Sequence, residues 1–310
     1  MAPRGCARSC KCQTTPPILP PERNGEFGIG AHVRDLGEMW KPRLSREVID
    51  LEFPRTNDMP VLDSHQPGYA YHLYRRHSDT LARQVGSTGR SSSSGVIYMK
   101  EHSGTHVDAL CHQAEDLKFY GCANVARSET PEGFLSGDAT EIPIFNHPAT
   151  LLDVGNLFAE GEVPAGTLVE RAALQQCVEE QGTPVEAGSV VLVRTGNGRY
   201  WGDSVRYQRG PGIHPDASEW LGEQGVAAVG ADNLAWDLPG YVDPDVGCDL
   251  PGHILLLVRR GIYIFENVSL EELARKKAYK FRFFAVPLKF VGATGSPVRP
   301  LAILMKGNYV

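Results

Sequence analysis

The stretch HSGTHVDALCH, residues 102–112, carries three histidines and an aspartate within eleven positions. His102, His106 and Asp108 offer two imidazoles and a carboxylate, a donor set suited to Zn2+ or Mn2+. In an extended chain His106 and Asp108 point to the same side, because side chains two apart share a strand face. Gly104 permits the turn that brings His102 round to them, and Thr105 is placed to hydrogen-bond a metal ligand from behind. His112 stands four residues past Asp108, on the same side if the chain turns helically there. A polar surface loop would account for any one of these histidines. Three at this spacing, following the apolar run Val96–Met99, point to a bound ion. Cys111 adjoins His112, but neighbours in sequence rarely face one another, so it reads as a small buried thiol lining the pocket rather than a nucleophile.

The elements that must position these residues come from apolar patterning. Residues 96–99 read as a strand that delivers the chain to His102. Further strands are expected over 149–154, 189–193, 226–229, 262–266, 281–286 and 301–304. The run Ser189–Val193 is continuously apolar and suits a strand buried on both faces. A helix is expected after Thr167, with Glu170 three residues on as a capping box, ending at Gly182 and Pro184. Pro215 opens a short helix through Leu221, and Ser269 with Glu272 suggests another capped start. Strands and helices intersperse without strict alternation. The class is therefore α/β: a single mixed domain with a large sheet or barrel-like core over residues 26–310. Residues 1–25, with Pro, Arg and the cysteines Cys6, Cys10 and Cys12, read as a disordered leader rather than a zinc knuckle.

Glu266 closes the apolar strand Ile262–Phe265, an expensive place for a carboxylate without a cationic partner. His253 begins the apolar segment before that strand, either as a helix-start histidine or as a site residue. Other candidates read more simply as structure. His214 suits a helix cap or pocket rim, Arg194 a salt bridge or a contact to a substrate carboxylate, and Asp232 and Asp237 a strand terminus. Tyr200, Trp201 and Trp236 fit core packing better than a substrate wall, while Phe119 and Tyr120 are close enough to the motif to cover its entrance. Gly196–Gly198 lacks the lysine and helix of a phosphate loop.

The histidine motif resembles the signature of the metal-dependent cyclase-like hydrolases, the family that includes bacterial kynurenine formamidases and isatin hydrolases: His, any residue, Gly-Thr-His, any, Asp, three residues, His. Similarity extends to LVRTG at 192–196, GPGIHPDASEWL at 210–221, HILLLVRRGIYIFEN at 253–267 and GATGSPVRPLAIL at 292–304. The resemblance implies a swivelling β/β/α fold and a homodimer or homotetramer. It makes His102, His106 and Asp108 the ligands of a first ion and His112 the catalytic histidine. His253 and Glu266 would hold a second ion with Asp108 as bridge, so one or two ions of Zn2+ or Mn2+ are implied. Many members have proline where this chain has Leu110, a change that reshapes a wall without removing a ligand.

The expected activity is hydrolysis of an amide, cyclic amide or lactone in a small molecule. Such an ion polarises the carbonyl and lowers the pKa of water to roughly 7, with His112 shuttling the proton. A water-derived nucleophile fits the lack of a G-x-S-x-G elbow. Two alternatives remain: a cyclase or dehydratase of a biosynthetic pathway, and a non-catalytic fold with a structural metal. The composition is that of an ordinary globular protein, 42% hydrophobic and 22% charged. A net charge of −6 disfavours nonspecific binding to nucleic acid or anionic membranes. With no apolar run of membrane-spanning length and no secretory signal, a cytoplasmic location is expected.

Overall fold

The computed structural model describes residues 47–81 and 90–304; the leader and the cluster of Cys6, Cys10 and Cys12 lie outside them. A nine-stranded sheet is built, in chain order, from β1 (Glu47–Asp50), β2 (His106–Asp108), β3 (Phe145–Asp153), β4 (Val190–Arg194), β5 (Ala228–Ala231), β6 (Tyr263–Glu266), β7 (Lys280–Ala285), β8 (Gly295–Pro297) and β9 (Leu301–Leu304). Its spatial order is β1-β9-β7-β3-β4-β5-β6-β2-β8. The central four strands, β3 to β6, run parallel. Parallel neighbours need a crossover, and each one here carries a helix. These are α1 (Arg171–Gln181), α2 (Pro215–Glu223) and α3 (residues 251–260), whose middle, Ile254–Val258, is π-helical.

All three helices cover the same face. Leu174 and Cys177 of α1, Trp220 and Leu221 of α2, and Leu256 and Leu257 of α3 pack with Val191, Val193, Val229 and Ile264. The opposite face curls into a half-barrel that fills itself with its own side chains. Along β7 the period of two sends Phe281, Phe283 and Ala285 inward. Phe283 meets Phe265 edge to face at 5.0 Å, and Phe145 meets Phe265 at 4.9 Å. Burial on both sides explains why VVLVR has no alternation: all five residues of β4 are buried. The carboxyl ends of β4, β5 and β6 deliver Arg194, Asp232 and Glu266 to one rim, where open α/β sheets place their ligands.

Two expected helix starts are displaced. Leu168 and Val169 pair in parallel with Gly212 and Ile213, so α1 begins only at Arg171, and its N-cap, Glu170, makes no side-chain cap bond. The Ser269 backbone N–H is committed to the Leu51 carbonyl at 2.9 Å, which keeps the chain extended until the short helix Glu271–Arg275, capped by Leu270. In both places a long-range backbone pairing outweighs a local capping signal. The strand expected at 96–99 exists as Ser94–Met99, but it pairs with Tyr69–Arg75 in an exposed two-stranded antiparallel sheet outside the large one. No helix among the described residues is long and apolar enough to cross a membrane.

The aromatic filling of the half-barrel makes it sensitive to truncation. Phe283→Ala should lower unfolding free energy by about 3–5 kcal/mol, the usual cost of emptying a buried phenylalanine site. Urea titration measures it; a loss under about 1 kcal/mol would contradict this packing.

Candidate metal centre

The site is a consequence of strand register. β6 runs antiparallel to β2 with Phe265 opposite Val107 and Glu266 opposite His106. Phe265 and Val107 enter the half-barrel core, so Glu266, His106 and Asp108 all face the other side. A slip of one residue would exchange the two sets. β6 stops at Glu266 because Asn267 turns the chain with φ of +54°, a conformation asparagine tolerates better than most residues. His253 arrives from the first turn of α3. Its Nε2 lies 3.4 Å from Asp108 Oδ2 and 3.3 Å from Glu266 Oε1. His106 Nε2 lies 3.3 Å from Glu266 Oε2 and 3.5 Å from Asp108 Oδ1. His102 Nδ1 reaches the same Asp108 Oδ1 at 2.9 Å.

Hydrogen bonds behind the rings fix two tautomers. His106 Nδ1 donates to the Gly104 carbonyl at 2.8 Å, across the turn that glycine makes with φ of +66°. His253 Nδ1 donates to Asp237 Oδ2 at 2.7 Å, and Asp237 is held in turn by the Gly252 N–H at 2.7 Å. Both histidines therefore aim Nε2 at the carboxylates, protonated while no cation is present and bare once one takes the proton's place. His106 Nε2, Asp108 Oδ2 and Glu266 Oε1 are buried and make no hydrogen bond. Once those imidazole protons leave, lone pairs converge here without a donor, which is costly unless a cation sits among them. The ligand atoms of Asp108, His253 and Glu266 lie within 4.8 Å of one another, as do those of His102, Asp108 and His112. The residues present fit a divalent metal, with Asp108 common to both groups.

The charge balance agrees. Burial disfavours a proton on His106, but Asp108 and Glu266 outweigh it and push the ring up to about 10. Burial raises Asp108, yet His112 and the imidazoles of His102, His106 and His253 packed against it take its carboxyl well below the ordinary range. His112 moves the other way: burial and the neighbouring His102 hold it well below the usual imidazole value. The His112 ring stacks on His102 at 3.9 Å, positioned by a turn that closes from its N–H to the Ala109 carbonyl rather than by a helix. His112, His253 and Glu266 open onto a cavity of ≈110 Å³ completed by Leu62, His65, Gln113 and Leu250, among others. His65, on the turn Asp63–His65, stacks on His102 at 5.0 Å.

The six residues expected from sequence, His102, His106, Asp108, His112, His253 and Glu266, are thus brought together. Several neighbours do other work. Thr105 donates from Oγ1 to the Asn267 carbonyl at 2.6 Å and accepts from Phe53 N–H, so it ties strands together instead of backing a metal ligand. Phe119 is buried against Phe134 and Tyr120 lies exposed by Gly261, so neither covers the entrance. Cys111 belongs to the half-barrel core, where burial pushes its thiol up to about 12; it does not line the cavity. Arg194 is consumed by Asp153 at 2.7 Å and Glu271 at 2.8 Å. Asp232 accepts from Thr195, Gly196 and Gly198 and holds that loop. His214 caps α2. Trp201 stacks on Phe53, and Trp236 donates to Ser218. Of the remaining site members, Asp237 was expected only as a strand terminus, and His65 and Thr294 were not expected at all. Asp237 had one usable signal, a buried-type acid close before the His253 segment.

A family model described as "Putative cyclase" matches residues 49–238. A kynurenine formamidase of Bacillus cereus is 26% identical over 256 residues, covering 82% of this chain and 95% of that protein. A crystal structure described as a novel cyclase superposes with a TM-score of 0.73 at 27% identity, covering 84% of this chain and 87% of that one. Isatin hydrolase A from Ralstonia solanacearum shares the fold with a TM-score of 0.65 at 22% identity, covering 92% and 99%.

The titration of the pocket sets a pH dependence. The folded pKa of His106 lies above its unfolded value of about 6.5, so its contribution to stability is complete below that pH and lost as pH rises toward about 10. His253, also raised, acts in the same direction. Depressed Asp108 and Glu266 contribute above about pH 4 and lose their contribution only in acid. His112, held neutral, costs stability only below about 6.5. Metal-free protein should therefore melt progressively lower from pH 6.5 to 10, beyond any loss seen in metal-loaded protein, whose ligands need no proton. Parallel melting profiles for the two forms would contradict the shared cation position.

Proposed function

The chain belongs to the cyclase family, and from that premise and the pocket we propose that it is a metal-dependent hydrolase cleaving the C–N bond of a small amide or cyclic amide. The observation that carries the reading is the convergence of three orphaned buried acceptors, His106 Nε2, Asp108 Oδ2 and Glu266 Oε1, beside a cavity. His102, His106 and Asp108 would hold one ion, and His253 and Glu266 a second with Asp108 between. A divalent ion at this place supplies Lewis acidity, polarising a carbonyl and lowering the pKa of water to roughly 7. The formamidase relative supports an amide as the bond cleaved. The cavity against Glu266 and His253 argues against a purely structural metal, whose ligands usually close all four positions.

His112 is the acid–base group of this reading. Kept neutral by burial and by His102, it is ready to accept a proton at physiological pH. Its Nε2 meets the Gln113 amide nitrogen at 3.3 Å, and a donating amide marks Nε2 as the unprotonated ring nitrogen, whose lone pair would exchange that contact for the proton of the attacking water. The same nitrogen returns it to the leaving amine. Leu62, Ala235 and Leu250 supply apolar surface, and Ser64, His65 and Gln113 supply polar atoms for a small substrate. A second role for His112, as metal ligand, has the proximity of its ligand atom to His102 and Asp108 in its favour.

Chelator-stripped protein, restored separately with Zn2+ and Mn2+, should hydrolyse members of a panel of N-formyl anilines, isatins and lactones only in restored form. Full turnover in verified metal-free protein would sink the proposal. His112→Ala should keep its metal while losing ~10²- to 10⁴-fold in turnover, the usual worth of acid–base catalysis. Loss of the metal in that variant would make His112 a ligand instead.

A further inference from the structure

His106 and His253 have their outer nitrogens fixed by groups that can only accept, a carbonyl and a carboxylate. The group behind His102 is different. His102 Nε2 lies 2.8 Å from Thr294 Oγ1, and a hydroxyl can either donate to a ring nitrogen or accept from it. The same hydroxyl lies 3.0 Å from Glu101 Oε1, and the Thr294 N–H also reaches that oxygen at 3.3 Å. A threonine hydroxyl has one proton, and an ionised carboxylate can only accept. The proton therefore goes to Glu101, and Oγ1 has only lone pairs left for His102. The imidazole must carry a proton on Nε2, so Nδ1, 2.9 Å from Asp108 Oδ1, is the nitrogen that shares a proton with that carboxylate in the metal-free protein and is free to give it up to a cation.

The backbone holds this relay in place. The Ala109 N–H donates to the Thr294 carbonyl at 2.9 Å, and β8 sets Gly295 opposite Asp108. A Cβ on residue 295 would stand 2.7 Å from His102 Cε1, so only glycine leaves the ring its seat.

Resting on the metal-dependent reading above, we infer that Glu101 and Thr294 are a positioning pair that locks His102 in the Nε2–H form and makes Nδ1 its metal-binding atom. His106 and His253 present Nε2, so the centre takes its imidazoles in opposite orientations. Glu101 acts only through Thr294, by deciding which way the hydroxyl points.

The test uses the full chain and Zn2+ alone. The dissociation constant is measured by competition with a chelating dye for the unsubstituted protein, Thr294→Val, Thr294→Ser and Glu101→Gln. Thr294→Val should bind Zn2+ ~10- to 100-fold more weakly, the range typical of losing a group that orients a metal ligand. Thr294→Ser, which keeps the hydroxyl, should recover most of that loss. Glu101→Gln should weaken binding too, since its amide can reverse the hydroxyl. Histidine-labelled ¹⁵N spectra of the Zn2+-loaded protein should show His102 protonated at Nε2 and not at Nδ1. An unchanged affinity in Thr294→Val, even with lower thermal stability of its metal-free form, would overturn the inference, as would an Nδ1–H signal from His102. Failure of the unsubstituted protein to bind Zn2+ would overturn the metal-dependent reading along with it.

Discussion

Two carboxylates buried side by side, Asp108 and Glu266, are the constraint on which the rest of this site depends. Both are almost wholly shut off from solvent. Unit charges about 4 Å apart interact by about 4 kcal/mol at an effective dielectric of about 20, so the two cannot both stay ionised here without positive charge between them. Among the described residues no lysine or arginine pairs with them. The fold brings histidines instead, and turns Nε2 of at least two of them inward. Protons can balance the pocket in the absence of an ion, as the raised His106 and His253 indicate. A divalent cation balances it better, because it meets all the lone pairs at once.

That arrangement explains much of the surrounding architecture. The pairing of β6 with β2 is only two residues long, but it is the step that sets His106 against Glu266. The edge strand β8 closes the other side of β2 and carries Thr294 to its post behind His102. The parallel centre supplies rigidity: β4 and β5 are buried throughout, and α3 is clamped at its first turn by Asp237. The π-helical turn in α3 follows directly on His253, a position where such irregular turns often accompany function. His112 and His65 line the cavity beside the orphaned atoms, each with its ring against His102.

The legibility of the site in the sequence follows how local each part is. His102, His106 and Asp108 could be read because one turn and one strand bring them together, and spacing alone encodes that. Glu266 was legible as an expensive carboxylate at the end of an apolar strand. His253 stood on the resemblance, since a histidine at a helix start has a plain structural explanation. Asp237 was read only as a strand terminus, and Thr294 and His65 not at all, because they reach the centre only through long-range pairings that no local pattern records. The same cause displaced the two helix starts: Thr167 and Ser269 are good local caps, but backbone pairing at Leu168–Val169 and at Ser269 claims the chain first. Thr105 was misjudged because its partner, the Asn267 carbonyl, is far along the chain. The buried centre of the sheet, by contrast, was legible in runs such as Val190–Val193, whose lack of alternation suits burial on both faces.

The central claim is that Asp108 anchors a divalent ion shared with the histidines and with Glu266. Anomalous diffraction from crystals soaked in excess Zn2+ or Mn2+ tests it most directly. The account predicts a strong peak within bonding distance of Asp108 and of His102 or His106, with His253 and Glu266 turned toward it; a second peak against those two residues would make the centre binuclear. No peak at Asp108, or His253 and Glu266 side chains pointing away from it, would contradict the account.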